Sequence, residues 1–120
     1  MIQNRATGEN NAKRFIERVR DSGVVWSLIT PEGDCAYCPS HDHDDTDVLV
    51  FWSDQAYAAR QVKEDWAEYD PTPIELSEFL ECWLPGMMED GVLIGPNWDA
   101  HLFGIEMHPK AMAELLGVTK

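Results

Sequence analysis

Positive charge is scarce in this sequence: nine Lys and Arg face 22 Asp and Glu in 120 residues, a formal net charge of −13 at pH 7. Such an imbalance opposes binding to nucleic-acid phosphates or anionic lipid, because either surface adds like-charge repulsion where affinity needs released counterions. Nucleic acid and membrane are therefore excluded as expected partners. Long apolar runs are missing too, with none near the roughly 18 residues that span a bilayer. The opening MIQNRATGENNAKR is polar and charged where an export signal would be apolar, so a cytoplasmic protein is expected. Cysteine is limited to Cys35, Cys38 and Cys82, an odd number that argues for reduced thiols and against a disulfide framework. The sequence has no internal repeat, linker or low-complexity tract. It also lacks a phosphate loop, a dinucleotide-binding glycine fingerprint and a nucleophilic-serine elbow, which removes the usual signals for nucleotide- and serine-dependent chemistry.

What is present fits an ordinary globular domain. Apolar residues make up 44%, with five Trp, four Phe and three Tyr, and a chain of this length can bury roughly two thirds of its unfolded surface in one core. Residues 1–9 are read as a flexible lead-in and 10–120 as a single α+β domain. Charge is unevenly placed: the first 20 residues carry five basic and two acidic side chains, leaving four basic and 20 acidic ones in the rest. From Asn10 to Asp21, Ala12, Phe15, Ile16 and Val19 recur at helical spacing, with Lys13, Arg14, Arg18 and Arg20 on other faces. This basic amphipathic helix is expected to dock on its own acidic body; a partner-binding helix is the alternative.

VVWSLI, Val24 to Ile29, reads as a strand leading through Thr30–Asp34 into a second strand, Cys35 to Pro39, as a hairpin. Ser40 to Asp47 reads as an exposed acidic loop. VLVFW, Val48 to Trp52, is a continuous apolar run suited to a central strand covered on both faces. Ser53 as N-cap, with Asp54 in the first turn, then predicts a helix reaching about Trp66, with Ala56, Ala59, Val62 and Trp66 buried. Tyr69 to Pro73 breaks the pattern and Ile74 to Leu76 gives a brief extended step. Ser77 is placed as the cap of a helix kinked or divided at Pro85 and stopped at Gly91. Val92 to Ile94 and Leu102 to Met107 read as strands around a Gly95–Asn97 turn. A last helix runs from Pro109 to Leu116, ended by Gly117. This order lacks the alternation of a doubly wound fold and predicts a mainly antiparallel sheet with helices packed on one side.

Certain stretches carry a family resemblance. Val25–Trp26, FWSD at Phe51 to Asp54, WLPGM through Met87, Asp90–Gly91 and GPNWD through Asp99 resemble an uncharacterised bacterial family, domain of unknown function 2750, over about residues 24–117. The resemblance implies relatives; it brings no activity, cofactor or catalytic residue with it.

Candidate chemistry is sparse. Cys35, Cys38, His41 and His43 have metal-ligand character, but all four lie within nine residues and an extended CAYC aims its thiols at opposite faces. A transition metal there is the alternative to no cofactor. DHDDTD lacks the glycine and the distal glutamate of an EF-hand, although weak surface binding of a divalent cation fits its charge. Cys82 with Asp99 and His101 can be drawn as a thiol triad, yet its apolar neighbours predict a buried core thiol, and His108 reads as a neighbour of a helix cap. Trp83, Asn97, Trp98 and Asp99 either line a binding groove or serve turn and core. Charge and missing catalytic motifs together favour a noncatalytic accessory or immunity-like module binding a basic protein. An enzyme using the Trp83–Asp99 groove or the Cys/His loop is the rival reading, and a nucleic-acid mimic a third.

Overall fold

Residues 5–41, 43–63, 66–99 and 104–117 are described by a computed structural model. Helix α1, Arg5–Ser22, buries Ala12, Phe15 and Val19, the stripe its spacing predicts. It begins inside the segment expected as a lead-in. Gly8 explains part of this: a Cβ there would lie 3.0 Å from Ile105 Cγ2, so the helix meets a distant segment at a position only glycine fills comfortably. Gly23, at φ 77°, ends the helix by donating to the Val19 carbonyl at 2.7 Å.

Strand β1, Val24–Ile29, has the predicted bounds but a different partner. It pairs antiparallel with β4, Asp70–Glu75, from Val24 opposite Glu75 to Ile29 opposite Asp70. β4 holds both Pro71 and Pro73, which by sequence alone break the strand pattern. An edge strand tolerates them: the two share one parity of the ladder, where no N–H is owed to the neighbour. The expected hairpin closes only at its turn. Gly33 N–H donates to the Thr30 carbonyl and Ile29 bridges Cys35, but the chain then leaves β1. Strand β2, Tyr37–Pro39, instead pairs antiparallel with β3, Asp47–Phe51, which pairs parallel with β5, Leu93–Pro96. β3 is thus the central strand, as its apolar run predicts. Reciprocal backbone bonds between Trp26 and Trp52, both 2.8 Å, join the two sheets.

Strict alternation along the strands makes two cores. Val25, Phe51, Ile74 and Ile94 face α1, α4 (Leu84–Asp90) and α5 (Pro109–Leu116), where Phe15, Val19, Leu84, Met87, Met112 and Leu116 complete a cluster. Leu28, Val48, Val50, Trp52 and Trp98 form the second cluster on the opposite face, under Ala58 and the half-buried Trp26, Val62 and Trp66. Most of the helical mass lies on one side of an antiparallel and mixed sheet system, an α+β fold. Each buried indole removes roughly 150–250 Å² from water, worth several kcal/mol at about 25 cal/mol per Å² before entropy is subtracted.

Two helices depart from expectation. α2 spans only Gln55–Ala59, with Asp54 as N-cap in place of the expected Ser53, whose hydroxyl is engaged with Asp54 and Asn97, and with Ala58 its buried residue; Ala56 and Ala59 are exposed. Gln61 is drawn inward, donating through Nε2 to the Asp99 carbonyl at 2.9 Å, and this tertiary bond competes with a longer helix. The helix expected from Ser77 starts at Leu76 with Glu75 as N-cap. It runs as α3, Leu76–Glu78, into a π-helical turn, Phe79–Trp83, and on through α4 to Gly91 at φ 73°. The wide turn just before Pro85 accommodates the proline that an unbroken α-helix would kink around. Beyond β5, the strand expected up to Met107 is a single bridge from Met107 to Ile94 among the described residues. Residues 102 and 103 lie outside them. α5 and its stop at Gly117, φ 90°, have the predicted bounds.

Candidate functional site

The stretches that carry the family resemblance meet in space. Asn97 N–H donates to the Phe51 carbonyl at 2.9 Å and Trp52 Nε1 donates to the Trp98 carbonyl at 3.0 Å. Asn97 adopts φ 51°, a left-handed conformation asparagine tolerates better than most residues. Its side chain accepts from Ser53 N–H at 2.8 Å and donates to Ser53 Oγ at 3.1 Å. Ser53 Oγ in turn donates to Asp54 Oδ1 at 2.6 Å, and Asp54 accepts two bonds from Arg18 of α1, at 2.7 and 2.5 Å. A continuous polar chain thus runs from a buried turn after β5, through the start of α2, to the first helix. Replacing Asn97 with alanine should cost about 2 kcal/mol, since it leaves the buried Ser53 N–H unpaired and an ordinary residue at positive φ. Urea denaturation measures it, and Asn97→Gly, which accepts the backbone conformation, should cost less.

Asn97 and Trp98 are 5% and 0% exposed. Trp98 belongs to the second cluster, whereas Trp83 packs edge-on against Phe51 in the first, at 5.8 Å between ring centroids. The two indoles therefore sit on opposite faces of the sheet, and with Asp99 they do not line one groove.

The Cys/His residues are dispersed over several roles. Cys35 bridges Ile29 and Cys38 lies in β2, both half-buried. The His41 ring stacks on Trp98 at 5.7 Å while its backbone N–H donates to Glu106 Oε2, and the His43 backbone N–H donates to Ser40 Oγ. Among the described residues no group of three or more His, Cys, Asp or Glu gathers as metal ligands. Burial pushes the thiols of Cys35 and Cys38 up, the Ser27 hydroxyl drawing Cys35 part of the way back. Cys82, expected in the core, is exposed on the π-helical turn, because that turn's apolar neighbours Phe79 and Trp83 take the inward positions. Its drawn triad partner His101 lies outside the described residues. A thiol-specific chromogenic disulfide should therefore label Cys82 rapidly and the other two slowly near neutral pH, with the fast phase absent from Cys82→Ser. His108 caps α5, its Nδ1 accepting from Lys110 N–H at 3.3 Å.

The polar chain emerges on an open cleft of about 700 Å³, a volume within the range that holds small ligands. α1 contributes Glu17, Arg18 and Asp21, β1 contributes Trp26, and Ser53 and Asp54 form the opposite side. None of these residues stands out in the sequence as a binding site; the signal the sequence offers is a basic helix beside an acidic body. The Arg18 hydrogen bonds hold the Asp54 carboxyl below its ordinary value of 3.8, against partial burial and with help from Ser53. A depressed folded-state value means that the stabilisation is complete above the unfolded value and disappears as pH falls through the folded one. The stability gap between wild type and Arg18→Gln should therefore be widest at neutral pH and close progressively below about pH 3.8. Arg18 and Asp54 are 54% and 22% exposed, so the gap is small and salt-sensitive. Urea midpoints across pH check it; a pH-independent gap would contradict the pairing.

Fold and site together define a strongly acidic α+β domain with an open, carboxylate-rimmed cleft that one internal arginine crosses. The chain belongs to the family described as "Protein of unknown function (DUF2750)", which it matches over residues 12–116, including most of α1. No curated protein and no solved structure gives a significant match.

Proposed function

We propose that this protein is a noncatalytic interaction module of the bacterial cytoplasm whose acidic body engages a basic protein, in the manner of an accessory or immunity protein. The observation that carries this reading is the acid excess itself, which the chain's own cations are too few to neutralise. Arg18–Asp54 is an ion pair among the described residues, and even pairing all nine Lys and Arg internally would leave 13 of the 22 carboxylates unneutralised. Unneutralised carboxylates repel one another, a cost in stability that a cationic partner relieves, and they also speed encounter with it. No helix among the described residues is long and apolar enough to cross a membrane, and three free thiols fit a reducing compartment.

The test is affinity capture from native cell extract at low and high salt, followed by binding of the purified captured protein. A basic protein retained at low salt, released at high salt and bound again in pure form is the expected result. Retention of no basic protein under either condition removes the proposal.

A further inference from the structure

We infer that the cleft between α1 and the starts of β1 and α2 is a receptor for an arginine side chain carried by the basic partner. The inference rests on the proposed function and adds to it the place and chemistry of contact. Three observations support it.

Glu17 and Asp21 stand one helical turn apart on α1 and both line the cleft, yet neither forms an ion pair or hydrogen bond with a described residue. Arg18, which lies between them in sequence, gives its hydrogen bonds to both oxygens of Asp54, and Asp21 acts on it only through charge, without a hydrogen bond. Arg14 acts on Asp54 as well, so the hydrogen-bonded positive charge in the cleft sits at the Asp54 side, while Glu17 and Asp21 hold no hydrogen-bonded cation among the described residues.

Trp26 supplies an aromatic wall in the same cleft. Its backbone is joined to Trp52 on the neighbouring sheet, and its half-buried side chain packs against the second cluster. A planar cation gains from stacking on such a face while its N–H groups reach carboxylates at the edge. Arginine satisfies both demands; lysine, a strongly hydrated point charge, meets the second alone.

The far side is rigid. Asp54 is fixed by Arg18 and Ser53, and Ser53 by Asn97, so the cleft already shows one guanidinium held by a forked carboxylate contact. Preorganisation of this sort reduces the ordering cost of binding.

The experiment measures fluorescence anisotropy of a short labelled arginine-rich peptide, with lysine and citrulline counterparts. Wild type is compared with Glu17→Gln/Asp21→Asn and with Asp44→Asn/Asp47→Asn, which removes equal charge from exposed positions outside the cleft. The expected results are a dissociation constant for the arginine peptide about tenfold weaker in the cleft variant and no more than about twofold weaker in the control. The lysine peptide should bind more weakly than the arginine peptide, and the citrulline peptide should not bind. Equal losses in both variants, or equal affinity for lysine and arginine, overturn the receptor while leaving a diffusely acidic interaction module standing. The same holds if no peptide binds although a basic protein is captured. Absence of both capture and peptide binding removes the two readings together.

Discussion

Gly104→Ala should destabilise the protein by about 3 kcal/mol and lower its melting temperature by about 10 °C. The reason is steric. Trp98 is fully buried, and a Cβ on Gly104 would lie 2.3 Å from Trp98 Cδ1, with one on Gly95 2.6 Å from Trp98 Cε2. The indole has little room to retreat, because its Nε1 donates to the Ile105 carbonyl at 2.8 Å while its own carbonyl receives Trp52. Neither glycine has a positive φ, so backbone preference is not the cause. Gly86→Ala provides the opposite case. It lies in α4 with nothing within 4 Å of the added Cβ and no positive φ, so alanine there should be neutral or stabilise by up to about 1 kcal/mol. Urea denaturation of both variants decides the matter: similar values for the two would show that Trp98 is not wedged between glycines.

Phe51→Ala should cost about 3–5 kcal/mol, a large part of the roughly 5–15 kcal/mol that holds a domain together. Phe51 is fully buried at the meeting of sheet and helices, edge-on to Phe79 at 5.0 Å and to Trp83 at 5.8 Å. Removing its ring leaves a cavity bordered by the π-helical turn and the central strand, which cannot collapse together without disturbing β3 pairings on both sides. Tyr37→Ala is the comparison, since Tyr37 is 54% exposed; its loss should stay within about 0.5 kcal/mol. A Phe51→Ala cost below about 1 kcal/mol would mean that the two layers are not joined through this ring.

The same contrast between local and distant contacts separates what was readable in advance from what was not. α5 carries its own signals, with Pro109 at its first turn and Gly117 at its end, and it forms between those residues. β1 and the apolar run of β3 are likewise governed by side-chain type and alternation. By contrast, Ser53 and Asp54 look like a helix cap, yet their polar groups are engaged with Asn97 and Arg18, partners 44 and 36 residues away, and α2 stops after one turn. Pro71 and Pro73 argue against a strand until it is known that their strand lies at an edge. Trp83 and Trp98 are close in sequence and chemically alike, so only the sheet between them shows that they face different cores.

By itself, the sequence determined the α+β class, the acid excess, the central strand and the helix stops, because these depend on composition, alternation and the backbone freedom of single residues. The tertiary structure alone decided strand partners, the short α2, the wedging of Trp98 and the cleft with Glu17, Asp21 and Trp26 at its sides. Those features depend on which distant segments close on one another, and local residue preferences do not encode that choice.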